Sequence, residues 1–426
     1  MLNIYYGRES INKEKFVYSR IAARGFSVRQ PVLVIVPDQY TLEAERQAFR
    51  FLDTESLLGL DVYSMSRLGH AILKELGGDR ETFIDKYGRH MLLTRIAREE
   101  EESLTVFRGN MKRTAFVELT NNFISELKQY GIAPADLAEV RDAVPEGRLL
   151  RQKLDDLTRI YERYQQEIEG KYTDSEDYID LYIGKIGRSR IVRNASVWVY
   201  GFDSLAPKSL KVLGGLMSAA ADVNVVLTCD RGGRDADLFS LTHKVISLLQ
   251  HTALESGCEV GECSDIGRAA AAGERECSDI GATDLIVRKE AAELAYLEQE
   301  LFATPRRPWR GPAPAITVCE AANVYNEAES AAAFVLHLLR DLGYRRRDIV
   351  LICNDQKHRA SVAERVFGEY GLPLFRDSKR GILNAGLAVC LVSLLETIDG
   401  RYKTTDVFKT LKSGFLPLSQ GETERL

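Results

Sequence analysis

Leu2-Asn3-Ile4-Tyr5-Tyr6-Gly7-Arg8-Glu9-Ser10-Ile11-Asn12-Lys13-Glu14 decides how the rest of the sequence is read. An apolar strand over Leu2 to Tyr6 runs into Gly7, and a helical stretch over Lys15 to Ala23 runs out. That frame belongs to a phosphate-binding loop, whose pattern is Gly, four residues, Gly, Lys, then Ser or Thr. Gly7 and Lys13 stand at the right spacing. Asn12 replaces the second glycine, and Glu14 replaces the hydroxyl that would hold Mg²⁺. Phosphates are cradled by inward-pointing backbone N–H groups, a turn that Asn tolerates through left-handed backbone. A carboxylate at position 14 is harder to accommodate, because it adds negative charge where charge has to be neutralised. Gly7, Asn12, Lys13 and Glu14 therefore predict a degenerate nucleotide loop that has lost its hydrolytic chemistry. Lys13 itself reads either as a weak nucleotide contact or as a solvated lysine near a helix start.

Outward from this loop the same grammar repeats. Pro31 to Val36 is a continuous apolar run, as expected of a parallel strand covered on both faces. It enters Pro37-Asp38-Gln39-Tyr40-Thr41 and a helix over Leu42 to Phe51. Gly59 to Tyr63 enters Ser64-Met65-Ser66-Arg67 and a helix over Leu68 to Leu76. Strand, loop and helix in succession predict an α/β fold with a parallel sheet. From Ile84 to about Gly170 the chain becomes helical and strongly charged, which reads as an insertion. Strands then resume at Ala195 to Tyr200 and Val223 to Thr228, with a helix over Leu210 to Ala219 between them. The strand at 195–200 occupies the position that in a hydrolase ends in Asp for Mg²⁺ and Glu for the attacking water. Here it ends in Tyr200-Gly201, and Asp203 lies beyond the strand end.

A second α/β unit is expected from Ala315. Its strands are Ile316 to Glu320, Ile349 to Cys353 and a short one near Leu372 to Phe375, with helices over Glu327 to Leu342 and Ala360 to Tyr370. The domain reading is thus residues 1–83 and 171–305 for the first α/β domain, 84–170 for the helical insertion, 306–314 for a Pro- and Arg-rich linker, and 315–426 for a second, truncated domain. The last residues, Gly421 to Leu426, supply no closing element, so a longer parent chain is expected.

Composition excludes several classes. The 426 residues carry 57 Lys and Arg against 62 Asp and Glu, a formal charge of −5, so any nucleic-acid surface has to be a local patch. No apolar run approaches bilayer-spanning length, and no membrane partner is expected. The 7 cysteines contain no Cys-x-x-Cys pair, which fits free thiols in a reduced, cytoplasmic setting and gives no metal site. Glu-Cys-Ser-Asp-Ile-Gly occurs at 262–267 and again at 276–281, and this duplication is expected to be a flexible, non-catalytic loop.

Tyr6-Gly7-Arg8, Val36-Pro37-Asp38-Gln39-Tyr40-Thr41, Val62-Tyr63-Ser64-Met65-Ser66-Arg67-Leu68, Gly201-Phe202, Leu238-Phe239-Ser240-Leu241, Gly343-Tyr344-Arg345-Arg346-Arg347-Asp348-Ile349 and Phe375-Arg376-Asp377-Ser378-Lys379-Arg380 follow one another in this order. In that order they resemble the superfamily 1 helicases, and among them the AddB (RexB) subunits of bacterial AddAB helicase–nucleases. The resemblance spans the whole chain but only the family's N-terminal part. The family's nuclease domain, its metal and the cysteines of its iron–sulfur cluster lie outside it. The resemblance implies RecA-like domains, a helicase-like region that is not the motor, an AddA-type motor and nuclease subunit as partner, single-stranded DNA as ligand, and a part in reading the Chi sequence during recombinational repair. No cofactor is expected in this region, ATP with Mg²⁺ being doubtful.

Single-strand binding needs phosphate donors and flat stacking groups. On the family-matching loops these are Gln39, Thr41, Ser64, Ser66, Arg67, Phe202, Lys379 and Arg380. Plainer readings stand beside them: Thr41 as a helix cap, Arg67 in an ion pair, Phe202 as a core residue. Two rival functions also stand, an ATPase with an unorthodox loop and a docking scaffold that never touches DNA.

Overall fold

The computed structural model describes residues 1–77, 82–110, 113–268, 291–355, 358–376, 382–417 and 420–425. They form two compact units, Met1–Ile316 and Thr317–Leu426.

The first unit is built on six parallel strands: β1 (Leu2–Gly7), β2 (Val32–Ile35), β3 (Leu60–Tyr63), β4 (Ser196–Val199), β5 (Asp222–Thr228) and β6 (Val260–Asp265), in the order β3-β2-β4-β5-β1-β6. The strands read from the sequence are β1 to β5, of which β3 lies at a sheet edge, and their residues alternate between two cores. Leu33, Ile35, Val197, Val199, Val223 and Val225 face one core. This side is covered by α3 (Met65–Leu76), α8 (Ser175–Ile183), α9 (Pro207–Ala219) and α10 (Ser240–Glu255). Tyr5, Val32, Val34, Trp198, Tyr200 and Val226 face the other, under α1 (Lys13–Arg24) and α2 (Thr41–Leu52). Helices on both faces cover β2 and β4 throughout, which is why those strands carry no polar alternation.

Helix starts fall one to three residues earlier than the apolar pattern alone suggests, and at Asn12, Ser64 and Asn323 a capping side chain sets the start. The Ser64 hydroxyl accepts from the backbone N–H of Arg67 at 3.3 Å and starts α3.

Residues 84–170 form α4 (Lys86–Glu99), α5 (Thr114–Gln129), α6 (Pro134–Ala143) and α7 (Leu149–Ile168). They enclose a core of their own, with Leu93, Ile96, Val117, Ile124, Ile160 and Tyr164 at its centre. An ionic cluster ties it to the α/β frame. The Lys128 ammonium on α5 donates to Asp174 and Asp177, each at 2.7 Å. The Tyr164 hydroxyl donates to the same Asp174 at 3.1 Å, and Asp174 caps α8. Burial pushes the Asp174 carboxyl up, but Lys128 and the cap hydrogen bonds outweigh it and hold it below its ordinary value.

One expectation is overturned at residues 260–265. The first copy of the duplicated hexapeptide is not a flexible loop. It contributes to β6, in parallel register beside β1 with Ile4 opposite Cys263 and Tyr6 opposite Asp265. An edge strand is half exposed, so its low apolar content does not exclude pairing. The second copy, 276–281, lies outside the described residues. Helix α11 (Ala292–Glu300) is the last described helix of this unit.

The second unit packs α12 (Val324–Arg340) against α13 (Arg359–Glu369), with Ala328, Ala332, Ala363, Val366 and Phe367 between them. It also holds α14 (Gly386–Asp399) and α15 (Thr404–Leu411). Here the strand expectations fail. Ile316 to Glu320, Ile349 to Cys353 and Leu372 to Phe375 carry no ladder among the described residues, and Val318, Val350 and Ile352 are 91%, 79% and 90% exposed. A short apolar run becomes a strand only when neighbours supply both ladder hydrogen bonds and cover. No described helix is long and apolar enough to cross a membrane.

Candidate functional site

The loop after β1 is compact. A Cβ on Gly7 would sit 3.3 Å from Ile11 Cβ and Cγ1, so the glycine lets the Ile11 side chain close over the turn. Ile11 N–H donates to Arg8 C=O at 3.0 Å. Asn12 is not left-handed: its φ is −76°, and its side-chain oxygen accepts from Lys15 N–H at 2.8 Å, capping α1. The left-handed turn that the sequence allows is thus replaced by a helix cap.

The groups that would hold phosphate are already engaged. Lys13 is neither solvated nor reaching outward. Its side chain is 12% exposed, and the ammonium donates to Glu9 at 2.8 Å and to Arg8 C=O at 3.3 Å. Burial pushes the Glu9 carboxyl up, and Lys13 with the Thr228 hydroxyl brings it below its ordinary value. The Ser10 N–H donates to the Glu298 carboxylate at 3.1 Å, from α11. Arg8 is clamped by Asp230 at 2.7 Å and Asp235 at 2.6 Å, and its guanidinium lies 5.5 Å from the centre of the Phe239 ring. The hydrogen bond to Asp235 is the main reason the guanidinium is raised above its ordinary value.

Glu14 turns the other way, toward the loop after β2. Tyr40 O–H donates to its carboxylate at 3.4 Å, and Gln47 N–H donates to Tyr40 O at 2.8 Å. Behind them Tyr200, the last residue before the β4 loop, is buried with its hydroxyl 3.0 Å from that of Tyr18. Tyr18 O–H lies 2.7 Å from Ala44 C=O, so the proton between the two phenols belongs to Tyr200. Burial raises the Tyr18, Tyr40 and Tyr200 phenols above their ordinary value. Asp203 is exposed beyond the strand end.

The carboxyl ends of β2, β3 and β4 lie side by side, because the sheet order places β2 between the other two. Gly201 has φ +80°, and a Cβ there would meet the Pro37 ring at 3.3 Å, so the β2 and β4 loops touch at a position suited to glycine. Ser66 O–H donates to Asp38 at 2.7 Å and ties the β3 loop to the β2 loop. Of the residues singled out in the sequence, Gln39, Ser66 and Arg67 are exposed on this crevice. Ser64 is buried under Ser66, with the hydroxyls 3.0 Å apart. Thr41 is 8% exposed, and its hydroxyl donates to Asp38 C=O at 3.3 Å, so it serves the helix start. Phe202 is half-buried against the core on the α9 side. Lys379 and Arg380 lie outside the described residues.

Sequence reasoning missed Glu298, which meets the loop from 288 residues away with no local signal. It also missed the roles of Arg8, Tyr40 and Gln47; only the first two stand in quoted motifs. Among the described residues no group of three or more His, Cys, Asp or Glu is arranged to hold a metal ion.

A family model described as ADDB, N-terminal, matches residues 4–278. Curated relatives are named as the B subunit of an ATP-dependent helicase/deoxyribonuclease. That of Heliobacterium modesticaldum is 32% identical over 435 residues, covering 100% of this chain and 35% of its own length. That of Alkaliphilus metalliredigens is 30% identical over 397 residues, covering 93% of this chain and 33% of its own. That of Alkaliphilus oremlandii is 30% identical, covering 99% and 36%. The chain thus spans about a third of the length of the curated relatives it matches.

Proposed function

The chain belongs to the AddB N-terminal family, and from that premise we propose that it is a RecA-like, motor-inactive region that holds single-stranded DNA at the carboxyl ends of its parallel sheet. The parent would be the B component of an ATP-dependent helicase/deoxyribonuclease in double-strand break repair, paired with an AddA-type motor subunit and taking part in Chi-type recognition.

The observation that carries the motor-inactive reading is the occupied loop. Glu9 neutralises Lys13, and Glu298 takes the Ser10 N–H. A nucleotide triphosphate with Mg²⁺ does not fit there. The phosphate charge would meet Glu9 and Glu298, and β4 is followed by Tyr200 rather than a carboxylate. The DNA reading is supported by the crevice, where open α/β sheets bind ligands and where Gln39 and Arg67 are exposed. The second reading, a scaffold that docks the motor subunit without touching DNA, is favoured by the charge of −5 and by Asp38 at the crevice.

Anisotropy titration of labelled single-stranded DNA at two salt concentrations separates them. Salt-sensitive binding is expected, with a salt slope reduced by about one on Arg67→Ala. Absence of binding at low salt would transfer the assignment to the scaffold. Mg²⁺-dependent ATP hydrolysis by the purified chain would overturn the motor-inactive reading.

A further inference from the structure

Two parts of the site that stand apart in the sequence are joined by side chains that neither role uses. Glu14 belongs to the degenerate loop; Gln39 and Gly201 belong to the crevice. Between them runs Gln47 N–H to Tyr40 O at 2.8 Å, then Tyr40 O–H to the Glu14 carboxylate at 3.4 Å. The Tyr200 oxygen lies 3.4 Å from Gln47 Oε1, its proton being given to Tyr18, and the Tyr40 and Tyr200 rings meet edge to face at 6.1 Å. Tyr40 closes the short turn Asp38–Tyr40 that presents Gln39, its N–H bonded to Pro37 C=O at 2.9 Å. Tyr200 precedes Gly201, whose Cα hydrogen side faces the Pro37 and Tyr40 rings.

We infer that Glu14, Tyr40 and Gln47 are positioning residues which lock the Pro37–Thr41 turn in one shape, so that the crevice is set without a nucleotide. In a phosphate loop with Ser or Thr at this position, the side chain would answer to a bound metal. Glu14 is longer, and its carboxylate oxygen accepts the Tyr40 hydrogen bond instead. The turn is therefore held by a group of the chain itself. Tyr40 has a single proton, and Gln47 occupies the acceptor side of its oxygen, so the hydroxyl is aimed at Glu14. The inference rests on the strand-binding reading for its consequence in DNA affinity, but not for the lock.

The test uses the full chain with Tyr40→Phe, which removes the hydroxyl and keeps the ring, and Glu14→Gln, which keeps an acceptor. Hydrogen exchange at residues 38–41 reads the lock directly, and anisotropy with single-stranded DNA reads its consequence. Tyr40→Phe is expected to speed exchange in the turn and weaken DNA binding about 5- to 10-fold, the scale of one or two net hydrogen bonds. The salt slope is expected to stay unchanged, because no phosphate contact is lost. Glu14→Gln is expected to fall between wild type and Tyr40→Phe in both measurements, because a neutral amide oxygen accepts more weakly than a carboxylate. Unchanged exchange in Tyr40→Phe would overturn the lock. Weaker binding in Tyr40→Phe with wild-type binding in Gln47→Met would make Tyr40 a direct contact and overturn its positioning role. If wild type binds no DNA yet Tyr40→Phe speeds exchange, the lock stands and the strand-binding reading falls. Gln47→Met, which removes the donor to Tyr40 at similar volume, guards against a Tyr40 variant that fails to fold, and it carries the same expectations.

Discussion

Lys128→Met asks whether charge, rather than apolar packing, fastens the helical insertion to the α/β frame. The Lys128 side chain is 6% exposed, and its ammonium lies 2.7 Å from Asp174, whose side chain is 0% exposed. Asp177, 31% exposed, is also at 2.7 Å. Met keeps the volume of the stem and removes the cation, leaving two carboxylates facing each other. Removing one partner of a buried pair costs about 3–5 kcal/mol. Asp174 keeps the Tyr164 hydroxyl at 3.1 Å and the Glu176 and Asp177 N–H groups at 3.1 and 2.9 Å. Those bonds place the expected loss at the lower end, about 3 kcal/mol.

The pH dependence distinguishes this account from lost packing. In the wild type Asp174 is held below its ordinary value, so its contribution is present above the unfolded-state value and fades as pH falls through the folded one. Asp177 runs oppositely: burial raises it, so acid relieves rather than costs stability there. Without Lys128, burial and mutual repulsion raise both carboxyls. The stability deficit of the variant should therefore shrink between neutral pH and about pH 5. Urea titrations followed by Trp198 fluorescence, in a Trp309→Phe background, measure both effects; Trp198 is 4% exposed and sits in the core of the first unit. A deficit under about 1 kcal/mol, or one that is the same at both pH values, would refute the reasoning.

Gly69→Ala places a Cβ 2.4 Å from the Tyr182 ring carbons. That ring is fully buried, and its hydroxyl donates to Met65 C=O at 3.1 Å, so it cannot swing aside. Overpacking of about 1–3 kcal/mol should exceed the helix-propensity gain, and calorimetry should show a lower Tm; a higher one would contradict the packing argument. Asp156, 1% exposed, accepts from the N–H groups of Val106 and Phe107 on Oδ2, at 2.8 and 2.9 Å, and from Thr105 mainly on Oδ1 at 2.9 Å, with Oδ2 at 3.2 Å. Asp156→Asn can keep its oxygen toward Val106 and Phe107 but turns an amino group on Thr105. The expected loss is about 2 kcal/mol, with hydrogen exchange accelerated most at Thr105, and equal acceleration at all three amides would count against this geometry.

The α/β frame was legible where strands are covered on both faces. Val32–Ile35 and Ser196–Val199 are short, but each is buried throughout, and continuous apolar runs flanked by turn residues mark such strands. β6 was illegible for the complementary reason. The other edge strand, β3, keeps Leu60 and Val62 buried, whereas β6 buries none of its residues, and its pairing with β1 joins positions more than 250 residues apart. In the second unit the apolar runs resembled strands equally well, yet composition cannot tell whether a ladder partner is at hand. The candidate site divides along the same line. Local spacing puts Gly7 and Lys13 on the loop after β1, and a family-matching stretch singles out Arg67, but the engagement of Lys13 by Glu9 is not in that spacing. The closing of the loop by Glu298, and the reach of Glu14 to Tyr40, depend on tertiary approach that no window of sequence contains.

The helical insertion begins and ends at one place. Ile84 N–H donates to Thr173 C=O at 3.0 Å, and Thr173 N–H donates to Thr82 C=O at 3.1 Å, so the entering and leaving chains form a single bridge. A module pinned at its neck can fold while the strands around it are still incomplete. During synthesis β1, β2 and β3 emerge first, but β2 and β1 are not neighbours: β4 and β5 must enter between them. The sheet therefore cannot close until residue 228 has emerged, and by then the four helices of the insertion are already available to fold. Non-local parallel pairing is the slow part of such a fold. The order of the chain thus assigns early, local folding to the insertion and gives the last step to the strands that bring the candidate site together.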